Sequence, residues 1–454
     1  MATYNFSTIT AMQAMAITAA DTLILDQGTG ATTTVLFSAA DVTTIMIGDR
    51  AVMFGTAVAA ATKTFTAGGV LFIGGPGSDQ TTTGAAGDGL YGGASADTLN
   101  GGDGLNLLQG NQGNDSLVGG SAHDIIYGGQ DDDRIVVGAG LNPGGTNFAQ
   151  GNRGNDTISG SANDSDTLLG GQGNDVINIT DPGTPRELGL LDNRQGFSGG
   201  GNDFLNGNLG NDTIFAGEGN DMLMGEGGDD FLQDGGGSNT LSGGDGNDTV
   251  IARDNNTIDG GAGNDVVGMD PGRFTVQLGD GDDLCLPLDP AASGMATVDG
   301  GGGNDQITGT GGSDSLAGGI GADTLDGGAG ADTVSGGAGG DQFQFFQSAV
   351  PTTAAGLDRI TDWASEDRLL FADGSNTPAG AGTAGNYVES TQADYAAALN
   401  FANGQIAAGQ NYVAVQVGAD VIVFADSAAN NGTADSAVML VGRTLADIAF
   451  DDFE

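Results

Sequence analysis

The sequence predicts an all-β protein centred on a parallel β-roll, a solenoid in which short strands stack turn upon turn. Two observations predict it. A nine-residue pattern, Gly-Gly-x-Gly-x-Asp-x-U-x with U a large apolar residue, recurs down the middle of the chain. Asp residues also recur eighteen positions apart, so that two repeats make one full turn. Flanking this array, the sequence predicts a small, mainly β N-terminal domain and a C-terminal β cap containing a short helix.

The repeat is clearest in Gly318-Gly319-Ile320-Gly321-Ala322-Asp323-Thr324-Leu325-Asp326 and in the next copy, Gly327 to Ser335. Its first six residues form a turn, because glycine reaches backbone angles that a side chain forbids. The last three form a strand, in which U points inward and its neighbours outward. Low-complexity disorder is the competing reading of a Gly-rich, acidic chain. A buried position every nine residues argues against it.

Residues 1–70 lack the repeat. Ala11 to Ala20 reads as a short helix, and Thr33–Phe37, Thr43–Ile47 and Ala51–Phe54 read as strands. Residues 71–345 are the array. It is interrupted near Gly138–Gln150, Ile179–Phe197, Gly268–Val276 and Leu286–Val298, which are expected to form loops on one face. In 346–454 the glycine repeat stops and aromatic residues appear. Thr391 to Asn403 reads as a helix, with Thr391 near its N-cap and Gly404 beyond its end. Tyr412–Val417, Val421–Phe424 and Ala437–Val441 read as strands of a cap that hides the open end of the solenoid.

The 454 residues include 59 acids against 11 Lys and Arg, a formal charge of -48. Unneutralised, that charge opposes any compact state. It also excludes nucleic acid and anionic membranes as partners. No apolar run has transmembrane length. The first basic residue is Arg50, so no cleaved secretory leader is expected. The single cysteine, Cys285, forms no internal disulfide; metal cross-links make the fold indifferent to redox state.

The Asp spacing names the metal. Asp97, Asp115 and Asp133 lie eighteen apart. So do Asp212, Asp230 and Asp248 on one edge, with Asp203 and Asp221 on the other. Asp305, Asp323 and Asp341 form a late ladder, and Asp314 and Asp332 its opposite. Asp124, Asp156, Asp175, Asp265 and Asp283 hold the same turn position. Stacked turns bring these carboxylates within a few ångströms of one another, and they repel without a cation. Calcium accepts several oxygen ligands, carboxylate and carbonyl together, at about 2.3–2.6 Å. Magnesium demands stricter geometry, and zinc prefers nitrogen and sulfur ligands that are nearly absent here. A single Gly-Asn-Asp is ordinarily only a turn; many in register are a site. About 15–25 calcium ions are expected, enough to offset most of the charge. Asn106 and Asn239 replace the Asp, so weak or absent sites are expected there.

The repeats resemble those of RTX proteins secreted by bacterial type I systems. Phe343-Gln344-Phe345, Asp358-Arg359-Ile360-Thr361-Asp362-Trp363 and Asp367-Arg368-Leu369-Leu370 resemble the C-terminal module of serralysin-like proteins. The tail Val438 to Ile448 and Asp451-Asp452-Phe453 does so too. The resemblance implies export by a type I exporter through an uncleaved C-terminal signal, followed by folding outside the cell on meeting calcium. The N-terminal segment resembles uncharacterised calcium-binding RTX proteins of Gram-negative bacteria, which implies an extracellular or cell-surface location.

Catalytic motifs are absent from the sequence or out of context. His-Glu-x-x-His does not occur, and the lone His123 holds a variable turn position. Gly196-Phe197-Ser198-Gly199-Gly200 matches a nucleophile elbow but leads into a glycine repeat rather than a helix. Abundant paired carboxylates lose their value as a glycosidase signal. The sequence therefore points away from an enzyme. It points to a secreted calcium-binding scaffold that assembles with copies of itself into a surface layer, filament or extracellular matrix. The alternatives are an adhesin or module binding a cell-surface polysaccharide or other partner, and an exported hydrolase.

Overall fold

The computed structural model describes residues 2–16, 22–25, 33–38, 42–47, 50–55, 62–65, 69–138, 146–161, 164–178, 201–289, 294–346, 350–372, 381–426 and 432–453. Contacts gather the chain into two compact units, Met1–Thr240 and Leu241–Glu454.

The first unit begins with β1 (Thr3–Asn5), α1 (Ala11–Met15), β2 (Thr22–Leu25), β3 (Thr33–Ser38), β4 (Val42–Ile47), β5 (Arg50–Gly55) and β6 (Thr62–Phe65). The helix starts where Thr10 and Gln13 cap each other: Gln13 N–H donates to Thr10 Oγ1, and Thr10 N–H donates to Gln13 Oε1. β1, β2 and β6 form a parallel sheet, while β3, β4 and β5 form an antiparallel meander. Alternation buries Val35, Ile45, Ile47, Val52 and Phe54 with Phe6, Leu23 and Leu25. Arg50 ties the first strand down, its guanidinium donating to the carbonyls of Phe6 (2.8 Å) and Ile9 (2.7 Å). The same core includes Leu71, Ile73 and Tyr91 from the start of the array. The Tyr91 hydroxyl donates to the Thr33 carbonyl.

From residue 71 the unit is a parallel solenoid with two strands per turn. Strands such as Leu107–Gln112, Ile125–Gln130 and Phe148–Arg153 stack on one wall. Thr98–Asn100, Ser116–Val118 and Arg134–Val136 stack on the other. The U positions form two inward columns: Leu90, Leu108, Ile126, Ala149, Leu168, Leu205 and Leu223, and Leu99, Leu117, Ile135, Ile158, Ile177, Ile214 and Leu232, all fully buried. Each Leu or Ile so buried contributes about 1.5–3 kcal/mol. Turns approach so closely that a Cβ on Gly113, which has a φ of +106°, would overlap the Ser95 carbonyl of the turn before.

The second unit is also a parallel solenoid, with a departure. Thr249–Ala262 and Val266–Asp280 are strands of 14 and 15 residues, paired in parallel from Thr249 and Val266 to Ala262 and Asp280. The expected interruption Gly268–Val276 is therefore not a loop. It lies in the wall, because Met269, Phe274 and Val276 point inward and are buried. Leu286–Val298 is part wall as well, in Leu284–Pro287 and Met295–Gly302. The expected interruption at 179–197 lies outside the described residues, as does most of that at 138–150.

The parallel ladder then gives way to a mixed sheet. Thr333–Ala338 pairs in parallel with Asp358–Ile360, which pairs in parallel with Ser436–Leu440. That strand is antiparallel to Asp420–Ala425, itself antiparallel to Tyr412–Val417. α2 runs from Tyr395 to Ile406, buries Ala398, Ala402 and Ile406, and is capped by Asp394, whose Oδ1 accepts from Ala397 N–H at 2.9 Å. The helix thus starts four residues after the expected Thr391, which pairs in a strand with Gln416. It also runs through Gly404. Apolar burial of its inner face outweighs the roughly 1 kcal/mol that a mid-helix glycine costs.

Candidate metal centre

Every sequence-predicted Asp sits at the same place in its turn, and all are deeply buried. In the first unit one edge carries a continuous ladder. The main-chain N–H of Asp79 donates to Asp97 Oδ1 (2.7 Å), that of Asp97 to Asp115 (2.7 Å), and that of Asp115 to Asp133 (2.8 Å). The ladder continues from Asp133 to Asp156 (2.8 Å), Asp156 to Asp175 (2.7 Å), Asp175 to Asp212 (2.6 Å) and Asp212 to Asp230 (2.7 Å). The other edge runs from Val70 through Asp88, Asn106, Asp124, Asn147, Asp166, Asp203 and Asp221 to Asn239 by the same bond. In the second unit Asp248 donates to Asp265, Asp265 to Asp283, Asp283 to Asp305, Asp305 to Asp323, Asp323 to Asp341 and Asp341 to Asp367. Opposite them, Ala296 donates to Asp314, Asp314 to Asp332 and Asp332 to Asp358.

The eighteen-residue spacing found the rungs between uninterrupted turns. It could not join rungs across insertions: Asp133 to Asp156 spans 23 residues and Asp175 to Asp212 spans 37. Asp79, Asp88, Asn147, Asp166, Asp358 and Asp367 also stand on the ladders and were not among the sequence-predicted residues. Asp79 ends a full Gly-Gly-x-Gly-x-Asp, and Asp358-Arg359-Ile360 and Asp367-Arg368-Leu369 keep the Asp-x-U triplet without the glycines. A second, exposed ladder was missed entirely. The residue before the Asp is often Asn, and its Oδ1 accepts the equivalent N–H of a neighbouring turn. Asn174 donates to Asn155 (2.8 Å), Asn211 to Asn174 (3.0 Å) and Asp282 to Asn264 (3.0 Å).

Each turn-to-turn bond of these ladders uses only Oδ1. The Oδ2 atoms of Asp97, Asp115, Asp124, Asp133, Asp156, Asp175, Asp203, Asp212, Asp221, Asp265, Asp283, Asp305, Asp323 and Asp341 are buried and receive no hydrogen bond. A carboxylate oxygen buried without a donor is costly. What faces it makes matters worse. Beside Gly92 the space that a Cβ would fill is bounded by Asp97 Oδ2 and the Gly110 carbonyl oxygen. Beside Gly110 it is bounded by Asp115 Oδ2 and the Gly128 carbonyl. The pattern repeats at Gly128 with Asp133, at Gly170 with Asp175 and at Gly318 with Asp323. Two acceptors facing one another require a cation between them. At these glycines a Cβ would occupy that space.

Among the described residues, no three Asp, Glu, His or Cys side chains converge on one point. The donor set is one carboxylate with backbone carbonyls, all hard oxygen, which fits calcium and not zinc. Without metal, burial pushes these carboxyls up: Asp97 to about 6, Asp115 to about 7, and Asp133 and Asp175 to about 8, where neighbouring carboxylates add to the rise. His123 is exposed and accepts from Thr146 N–H. Cys285 is fully buried, and burial pushes its thiol up to about 12. The Ser198 motif lies outside the described residues.

The family model described as the RTX calcium-binding nonapeptide repeat, four copies long, matches residues 73–108, 109–142, 144–177, 197–232, 224–254, 233–267, 297–316 and 308–343. This is an RTX repeat protein. It binds several calcium ions through its nonapeptide repeats. The RTX match lapses between 267 and 297. The second of the two long strands, Val266–Asp280, runs through this gap. No curated protein matches this RTX chain.

Proposed function

We propose that this is a secreted calcium-binding structural protein that assembles with copies of itself into a surface layer, filament or extracellular matrix. The observation carrying the calcium part is the row of buried, donorless Oδ2 atoms facing carbonyls. These Asp residues are the ligands in this reading. RTX repeats usually occur in secreted proteins, and an RTX solenoid is a structural and binding element rather than a catalytic one. No described helix is long and apolar enough to cross a membrane. The scaffold part draws on residues 1–70, read as an assembly domain. β3 and β5 are the outer strands of their meander, and Met53 on β5 is exposed. Outer strands of that kind add strands from a second copy. Residues 346–454 act as the end cap and, as in serralysin-like proteins, carry the signal for the type I exporter. The location is then the outside or surface of a Gram-negative cell, where a polysaccharide is a further partner.

Electron microscopy and light scattering of the full chain, with and without millimolar calcium, test the scaffold. Ordered assemblies should appear with calcium and shrink in Met53→Lys, since charge on an edge strand blocks pairing. A chain that stays monomeric at high concentration in calcium, yet binds a glycan surface saturably, would move the reading to an adhesin.

A further inference from the structure

The rungs are not chemically alike. At Asn106 the side chain occupies the place that Asp occupies elsewhere, but the atom facing the next turn is Nδ2. A Cβ on Gly101 would stand 2.6 Å from Asn106 Nδ2 and 2.6 Å from the Gly119 carbonyl oxygen. Nδ2 donates to that carbonyl (3.4 Å) and to the Gly104 carbonyl (2.9 Å), while Oδ1 still accepts from Asp88 N–H (3.0 Å). Donor faces acceptor, and the contact needs no cation. Asn147 behaves alike, with Oδ1 accepting from Asp124 N–H and Nδ2 donating to Asp166 Oδ1 at 2.8 Å.

Two carboxylates are closed by a different route. Asp166 Oδ1 accepts from Asn147 N–H and Nδ2, and Oδ2 accepts from Ser161 N–H (2.7 Å) and Oγ (2.9 Å). Four donors fill the capacity of a carboxylate. Asp314 Oδ2 accepts from Thr310 N–H (2.6 Å), the Thr310 hydroxyl lies 3.0 Å from both oxygens, and Oδ1 accepts from Ala296 N–H (2.6 Å). Asp97, Asp115 and Asp133, at the same turn position, have no donor on Oδ2. A hydroxyl residue stands four or five positions ahead of Asp314 or Asp166 and turns onto the carboxylate, where Asp97, Asp115 and Asp133 carry glycine or asparagine.

We propose that the ladders mix two kinds of rung, calcium-taking rungs with an open Oδ2 and metal-free rungs at Asn106, Asn147, Asp166 and Asp314 whose hydrogen-bond donors stand in for the cation. This rests on the reading that the open Asp residues are the calcium ligands. The consequence is unequal edges. In the first unit three of the metal-free rungs lie on one edge, so that edge holds fewer ions. It keeps partial hydrogen bonding when calcium is removed. A carboxylate at the motif position is therefore not sufficient for a site: the donors of its own loop decide.

Native mass spectrometry of the full chain in excess calcium counts the ions, with circular dichroism to confirm folding. Asp115→Asn should lose at least one ion. It should also melt at a higher temperature in chelator, because an amide then faces the Gly128 carbonyl as Asn106 faces Gly119. Asp314→Asn should lose none, and Asn106→Asp should gain one. Loss at Asp314→Asn equal to that at Asp115→Asn, with no gain at Asn106→Asp, would overturn the two-rung scheme while leaving the ligand reading intact. No loss at Asp115→Asn would overturn the ligand reading, and this inference with it. Should Asn106→Asp fail to fold, the chelator melting temperature of Asp115→Asn decides: a fall there sinks the scheme.

Discussion

The main-chain N–H of Asp97 donates to Oδ1 of Asp115 at 2.7 Å, leaving Oδ2 of Asp115 buried with no donor. One carboxylate thus has two separate tasks. Oδ1 stitches consecutive turns whether or not metal is present, and Oδ2 is stable only when something positive lies beside it. Repeated along each edge, this makes the array a polymer of half-satisfied sites, whose folding free energy is tied to metal binding.

That linkage has a sign in pH. In the metal-free fold the carboxyls of Asp97, Asp115, Asp133 and Asp175 lie above the ordinary 3.8, at about 6, 7, 8 and 8. The folded state then binds more protons than the unfolded chain. Its stability is full below the unfolded value and is lost as pH rises through about 6 to 8. In chelator, circular dichroism should show more β structure at about pH 4.5 than at about pH 8.5. In calcium the dependence reverses, because protons compete for the ligands. A β-rich, compact chain in chelator at the higher pH would refute calcium-dependent folding.

Replacing Asp115 separates its two tasks. Asp115→Ala removes the oxygen proposed to hold calcium and also strands the Asp97 N–H, which adds a cost of about 1–3 kcal/mol. On the proposed ligand reading, Asp115→Asn removes the metal oxygen alone. Gly110→Ala should mimic that loss, since its Cβ would occupy the space bounded by Asp115 Oδ2 and the Gly128 carbonyl. His123→Ala should leave calcium titration unchanged. Calcium titration with thermal melting ranks the four variants. Equal effects at Asp115 and His123 would be incompatible with the ladder.

In the C-terminal sheet, the helix boundary gives a smaller test. Asp394→Ala removes the acceptor for Ala397 N–H and should cost about 1 kcal/mol. Thr391→Ala changes a strand residue and should not remove a cap. Equilibrium unfolding in saturating calcium distinguishes them, and the reverse order would move the helix start back to Thr391.

The sequence alone carried the periodic part of this protein. A U residue every nine positions specifies two inward columns such as Leu99, Leu117 and Ile135. An Asp every eighteen specifies stacked carboxylates, because both follow from local chain geometry that repeats identically. Tertiary structure decided what does not repeat. Phe274 and Val276 fit the wall in a segment that lacks the glycine motif, since burial of alternating residues suffices to hold a strand in a preformed stack. Asp133 meets Asp156, and Asp175 meets Asp212, because pairing of the flanking strands closes the insertions. No spacing rule contains that information. Helix α2 begins at its Asp394 cap because Thr391 is taken by a neighbouring strand. Asp115 and Asp314 hold the same motif position, yet only one has an open oxygen. The difference lies in whether Thr310 turns its N–H and hydroxyl onto the carboxylate, a matter of loop conformation that the shared Asp position does not encode.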